Sequence, residues 1–483
     1  MRVAIIGGGI AGLSVAYQLE QASKTSADVS YELFEAGSRL GGVISSEVTL
    51  GTVLEHGPDS FLTEKPAALQ LCRELGLEAD LISSNDSARK TYILVRNRLV
   101  ALPDGLMFLI PTKLIPTALT RLFSMKTKLR MALELLLPPR PHSGDESVAE
   151  LVARHYGQEV VDRLADPLLS GIYGGDASQL SAESVLPRLV DMEAQYGSLT
   201  RGMLAGRRKM KAGAKNLGIQ APKPIFTTLR GGLQQIIDAL IERVDSRKVH
   251  IDCAVVAIQQ SDRGWLVKTA DDSKIFDSVV IATPAWASAA LLKSVDAALC
   301  YELGAIPYTS SITVNLIYDE LQLGPLPVGF GFLVPAVENR SLLACTFVHR
   351  KFSGRTAPGK AVLRAFLGGA RNEELLAWSD SALSELVQQD LQQIIGITAK
   401  PELVQVNRWN RAMAQYAVGH KLRQQKIYER LSQLPGLHLV GNGYDGIGIS
   451  DCIRLGRRAA TDLVAAAESS AYAPSLPSQS PIA

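Results

Sequence analysis

Cysteine is scarce in this chain. The five present, Cys72, Cys253, Cys300, Cys345 and Cys452, are scattered through 483 residues with no C-x-x-C pair. That spacing excludes a disulfide framework and a zinc site, so no metal is expected, and it fits a reducing compartment. An excess of one charge is also missing. Fifty Lys and Arg against 48 Asp and Glu leave a formal net charge of +2, so no nucleic-acid partner is expected. No apolar run reaches the roughly 20 residues that cross a bilayer. The chain enters a strand directly after Met1, with neither basic n-region nor apolar h-region. The expectation is therefore a mature chain starting at Met1 and a cytoplasmic location. What remains is a globular composition, 47% hydrophobic and 20% charged, long enough for two or three domains.

The most informative stretch is the first 42 residues. Val3-Ala4-Ile5-Ile6 reads as a buried strand running into Gly7-Gly8-Gly9-Ile10-Ala11-Gly12 and an apolar helix. Glycines at the first, third and sixth places let a backbone approach a pyrophosphate at a helix N-terminus. A second strand, Tyr31–Phe34, ends at Glu35, the acid expected to accept hydrogen bonds from ribose hydroxyls. The continuation Arg39-Leu40-Gly41-Gly42 resembles the second phosphate-contacting motif of the amine-oxidase-like flavoproteins, which implies FAD rather than NAD, with Arg39 neutralising the diphosphate.

Further along, Glu55–Phe61 is turn-rich, Lys65–Leu75 reads as a helix, and Tyr92–Val95 and Arg98–Ala101 as strands. From Pro111 to Ala205 the apolar spacing is helical. Gly105–Pro116 is strongly apolar and followed by Arg121, Lys126, Lys128 and Arg130, which fits either a membrane-interface segment or a buried helical subdomain lining a pocket. Arg201–Lys215 is basic and glycine-containing, and it reads as a loop, either solvated or a cationic lid. Strands follow at Val249–Ile251, Ala254–Gln259, Trp265–Thr269 and Val279–Ala282, then at Ile312–Tyr318, Leu342–Phe347, Val362–Leu367 and Leu403–Arg408, with a helix at Ala382–Ile395. A last glycine-rich turn, Gly441–Asp451, joins Leu437–Val440 to a helix whose N-terminus suits the flavin's pyrimidine carbonyl or ribityl chain. After Ser469 the chain is rich in Ser, Pro and Ala and is expected to be disordered.

Several runs are far more selective than the glycine fingerprint. They are Asp166–Asp176, Gly57–Phe61, Ile110–Lys113, Arg408–His420 and Gly441–Ile453, and together they resemble the oxygen-dependent porphyrinogen oxidases over essentially the whole chain before its tail. The similarity is greatest to the Gram-positive-type branch that oxidises coproporphyrinogen III. The fold it implies is α/β: a Rossmann-like FAD-binding domain of the amine-oxidase-like type, an α+β substrate domain and an inserted helical block. The expected divisions are 1–82, 226–290 and 434–467 for the FAD domain, and 83–105, 186–225 and 291–433 for the substrate domain. Residues 106–185 form the helical, membrane-interacting candidate, and 468–483 the tail.

The resemblance implies a six-electron desaturation of a porphyrinogen by hydride transfer to non-covalent FAD, with oxygen reoxidising the flavin to leave hydrogen peroxide. Its expected cofactor contacts are Gly7, Gly9, Ile10, Ala11, Gly12, Glu35, Ala36, Arg39, Gly41, Gly42, Val43, Gly57, Pro58, Asp59, Ser60, Val255, Trp409, Gly441, Asn442, Ile447, Gly448 and Ile449, with Val255 pairing its backbone with the adenine. Asp59 is the candidate catalytic residue, orienting substrate or relaying a proton, against a reading as a turn-stabilising carboxylate. Ile172, Leu333 and Phe347 read as pocket lining or core. Thr91 stands where many protoporphyrinogen-oxidising relatives carry a propionate-binding Arg, which favours coproporphyrinogen III and leaves Arg89, Lys90 or the basic segment to meet carboxylates. Alternatives are protoporphyrinogen IX oxidation, a flavin amine oxidase, a carotenoid desaturase, or a lipid-binding chaperone of the same fold. Expected partners are the porphyrinogen, oxygen and a ferrochelatase or other haem-pathway enzyme, for a monomer or homodimer.

Overall fold

The computed structural model describes residues 1–25, 28–107, 109–111, 113–139, 144–217 and 224–471. The expected tail beyond Ala471, together with Phe108 and Thr112, lies outside the described residues, and of 209–217 only the backbone is described.

Five parallel strands form the first layer, in the order Val249–His250, Ser30–Phe34, Arg2–Ile6, Ser278–Ile281 and Leu437–Leu439. Alternation with period two assigns the faces. Val3, Ile5 and Leu33 enter one core with helices Ile10–Thr25, Gln234–Arg243 and Ile449–Ala471, while Ala4, Ile6 and Phe34 enter another with Trp265, Phe276 and the helices at 285–304. Strands 255–261, 264–269 and 273–276 make a separate antiparallel sheet on that second face. The outermost chain crossings bring Gly7, Ala282 and Gly441 to the same end of the sheet, because parallel strands all exit there.

The second layer is a seven-stranded mixed sheet ordered 403–414, 308–319, 360–368, 344–347, 331–333, 91–95 and 98–101, with helix Asp380–Ile395 packed on it. The third unit is a helical core around Leu122, Met131, Leu151, Tyr156, Leu164 and Leu199. Helices Pro187–Tyr196 and Leu199–Leu217 pack on this block through Leu189, Val190 and Leu199.

The basic segment is helical, which corrects the loop expected from its run of charges. A Cβ at Gly202 would press within 2.9 Å of Met192, so this glycine serves close helix packing instead of a turn. The C-terminal helix likewise runs to Ala471, past the expected start of the tail.

Candidate functional site

Gly7 leaves the first strand at φ 107°, a conformation that disfavours a side chain, and a Cβ there would meet the Ala282 backbone at 3.1 Å. Gly12 lies so close to the Gly7 carbonyl that any Cβ would overlap it. Gly9 behaves differently. A Cβ there meets only Gly42 Cα, at 4.0 Å, so the backbone borders open space at the start of the helix Ile10–Thr25. The two glycine turns run side by side, with a bridge between Gly9 and Gly41 and a 2.8 Å bond from Gly41 N–H to Gly8 O. First-turn N–H groups from Ile10 and Ala11 onward have no acceptor within the helix. An open, side-chain-free backbone at a helix N-terminus fits a pyrophosphate.

Glu35 accepts from Gly8 N–H at 2.7 Å through one carboxylate oxygen and from Gly37 N–H at 2.8 Å through the other. Each oxygen keeps a lone pair for a ribose hydroxyl. Ala36 follows it, and Cys253 N–H donates to Glu35 O at 2.8 Å, which brings the start of the Val255–Ser261 strand beside this acid. Arg39 opens the second glycine turn. Its guanidinium donates to the carbonyls of Leu40, Gly42 and Ile44, because a tight turn outside any ladder has main-chain acceptors to satisfy. It braces the second glycine turn.

The Glu55–Ser60 loop is gripped from the mixed sheet. Asn315 donates to Glu55 O at 2.9 Å, and Thr313 and Trp409 donate to His56 O at 2.7 and 2.8 Å. Arg364 donates to Gly57 O, and Arg355 forms a fully buried ion pair with Glu55. A Cβ at Gly57 would overlap Val43 O, so this loop also packs on the second glycine turn. Beyond Pro58, Asp59 is paired with Lys351 at 2.9 Å, accepts from Ser60 at 2.6 Å and lies 3.9 Å from Arg364. Burial pushes its carboxyl upward, but Lys351 and Arg364 prevail and hold it well below the ordinary carboxylate range. Such a group is a fixed anion and a poor proton acceptor.

The third turn leaves the sheet at Gly441, with φ 126°. Asn442 donates to Ala412 O at 2.9 Å, and Asp451, ion-paired with Lys65, accepts from Gly448 N–H at 3.2 Å just ahead of the helix starting at Ile449. Burial pushes the neighbouring Cys452 thiol up to about 12.

Of the pocket-lining candidates, Phe347 is fully buried in the sheet core, whereas Ile172 is half exposed and Leu333 faces Gly171 across the boundary with the helical block. At that boundary Arg371 holds Asp166 bidentately at 2.8 Å and Asp176 at 3.0 Å, beside a cavity of about 350 Å³. Thr91 opens a strand and pairs with Gly331, and Arg89 and Lys90 are exposed. Sequence reasoning missed Lys351, Arg355, Arg364, Thr313 and Asn315. Arg364 and Asn315 left a trace, as a charge and an amide inside the expected apolar strands Val362–Leu367 and Ile312–Tyr318.

Residues 10–464 match the model of the flavin-containing amine oxidoreductases. The chain is 34% identical to the coproporphyrinogen III oxidase of Bacillus subtilis (strain 168), over 95% of this chain and 97% of that protein. Identity to the enzyme of the same name from Staphylococcus aureus (strain NCTC 8325 / PS 47) is 32%, over 96% of this chain and 99% of that protein. A crystal structure from Exiguobacterium sp. 255-15, provisionally described as a protoporphyrinogen oxidase, superposes with a TM-score of 0.84 at 33% identity, covering 96% of this chain and 99% of the other.

Proposed function

Because the chain belongs to the flavin-containing amine oxidoreductases and, within them, to the porphyrinogen oxidases, we propose that it oxidises coproporphyrinogen III to coproporphyrin III. The cofactor is FAD. In this reading six electrons and six hydrogens leave the macrocycle, and three molecules of oxygen become three of hydrogen peroxide. Bound FAD supplies hydride acceptance and reoxidation by oxygen.

The protein's share is binding and orientation. Gly9, Ile10, Ala11, Gly41 and Gly42 would hold the pyrophosphate, Glu35 the ribose and Val255 the adenine. Arg39 would act on the diphosphate indirectly, by shaping the turn. Val43, Gly57, Pro58, Asp59, Ser60 and Trp409 would form one wall at the flavin, and Gly441, Asn442, Ile447, Gly448 and Ile449 the other. Asp59, ionised against Lys351, would orient substrate electrostatically; the released protons would pass to solvent or other groups.

Full-length likeness to enzymes named for coproporphyrinogen III carries the substrate assignment, and Thr91 in place of an arginine supports it. The test is aerobic turnover of the FAD-loaded protein on coproporphyrinogen III and protoporphyrinogen IX in parallel, read by porphyrin fluorescence and peroxide. Faster oxidation of the tetracarboxylate is expected; preference for the dicarboxylate moves the assignment to protoporphyrinogen IX. A metal-inserting enzyme such as ferrochelatase is the partner this product implies.

A peripheral membrane contact is part of this reading. Among the described residues no helix is long and apolar enough to cross a membrane. Yet Ile115, Leu119, Met125, Leu129, Leu133 and Leu136 are 55–77% exposed, spaced mainly by four residues along two short helices and the turn Glu134–Leu136 that follows, beside Arg121 and Lys126. Co-sedimentation with anionic vesicles, lost on Leu129→Glu, is the expected result.

A further inference from the structure

The Gln415–His420 part of the sequence motif is not accounted for by the cofactor contacts above. Tyr416 is 4% exposed. Its hydroxyl donates to Asn442 O at 2.9 Å and accepts from Gly446 N–H at 2.9 Å, spanning the two ends of the turn that precedes the C-terminal helix. Its ring stacks on His420, with centroids 4.0 Å apart and planes 11° from parallel. His420 and Gln424 approach Tyr444 O at 3.3 and 3.1 Å, and the Tyr308 hydroxyl donates to the Asn442 side chain at 3.3 Å. Carbonyls inside this turn therefore have side-chain donors, as buried main-chain acceptors require.

The same arrangement sorts the N–H groups. Tyr416 takes that of Gly446 and Asp451 that of Gly448, while those of Ile447, Ile449 and Ser450 have no acceptor among the described residues. Tyr416 is itself tethered from the other side. Ser181 N–H donates to its carbonyl at 2.8 Å, Val418 N–H donates to Gln179 O at 3.0 Å, and Leu180 bridges Ala417. The hydroxyl thus joins the helical block to the turn. Burial pushes it far up, so it stays a donor throughout the working pH range.

We propose that Tyr416 is a positioning residue for the flavin: its hydroxyl fixes the Asn442–Gly446 turn so that the free N–H groups of Ile447 and Ile449 are presented to the cofactor. This rests on the reading that the Gly441–Ile449 turn forms one wall of the FAD site. Preorganised donors at a helix N-terminus favour the negative charge that reduction adds, so the clamp raises the flavin's midpoint potential as well as its affinity.

Tyr416→Phe keeps the ring and its stack on His420 and removes both hydroxyl bonds. In the full-length holoenzyme, release of FAD on dilution should become about tenfold more favourable, the scale of one or two hydrogen bonds. The midpoint potential of the bound flavin should fall. His420→Leu removes the stack but keeps the hydroxyl, and should lower thermal stability with a smaller change in potential. A Tyr416→Phe holoenzyme with lowered stability but wild-type FAD retention and potential overturns the proposal, since the hydroxyl would then serve folding alone. Gly9→Glu separates the two readings. If it retains FAD, the cofactor site is misplaced; if it loses FAD while Tyr416→Phe retains both wild-type values, the clamp alone fails.

Discussion

The Gly7–Gly12 turn and the Glu55–Ser60 loop are both tight and both close on the Gly41–Val43 turn, yet they are held by opposite means. The first is shaped by main chain and by missing side chains, with Glu35 as its nearest polar anchor. The second is held by side chains 257 to 353 residues downstream, from Thr313 to Trp409. A turn defined by steric exclusion stands or falls on one atom, whereas a loop held by many donors loses stability in steps.

Four substitutions can break or sharpen that contrast. The largest effect is expected at Gly9, where Gly9→Glu fills the open backbone with a side chain of like charge to a pyrophosphate. Near-complete loss of FAD absorbance from a folded protein is the expected outcome, checked by visible spectrum alongside circular dichroism. Arg355→Met comes next, because it removes the cation from the buried Glu55 and leaves that carboxylate only the hydrogen bonds of Leu233 N–H and Ser46, at a cost of about 3 kcal/mol, read as a lowered denaturation midpoint.

Lys351→Met should cost less at neutral pH, about 2 kcal/mol, because Arg364 still faces Asp59. Its signature is pH dependence. A carboxylate with a depressed folded-state pKa stabilises the protein above its unfolded value of about 4 and loses that contribution as pH falls through the folded value. In the parent protein that loss falls at strongly acidic pH. Without Lys351 the folded value rises, so acid unfolding should begin at higher pH; an unchanged acid limb would show that Arg364 suffices. Thr313→Val is the mildest. His56 O keeps its bond from Trp409, so a loss of about 1 kcal/mol is expected by thermal unfolding, with FAD retained.

The same contrast explains what could be read in advance. The strand, glycine turn, helix and Glu35 follow one another within a few turns of chain, and steric rules acting on near neighbours suffice to arrange them. Strands such as Tyr308–Asp319 and Lys360–Gly368 were legible from their apolar runs, although shorter than observed. Lys351 was not legible, since nothing in Val348–Lys351 indicates that a lysine there meets Asp59 across 292 residues. The bonds of Arg39 to its own turn were not legible for a related reason. A cation beside two glycines suggests an anion, and nothing local shows that three carbonyls of its own turn also accept from it. The Arg201–Lys215 helix was not legible because a run of charges suggests a solvated loop, and the contact of Gly202 with Met192 that packs it as a helix lies in the neighbouring helix.

The strand, glycine turn and helix, the acid Glu35 that follows them and the family could all be read from sequence, because each is written in short runs whose chemistry is local. It took the folded chain to show that Asp59 is a tethered anion, that Arg39 braces a turn, and that Tyr416 bridges the helical block to the C-terminal turn. Those properties depend on charges and hydroxyls brought within about 3 Å by the packing of sheets and helices, and hydrogen-bond strength falls away too steeply with distance for sequence proximity to stand in for it.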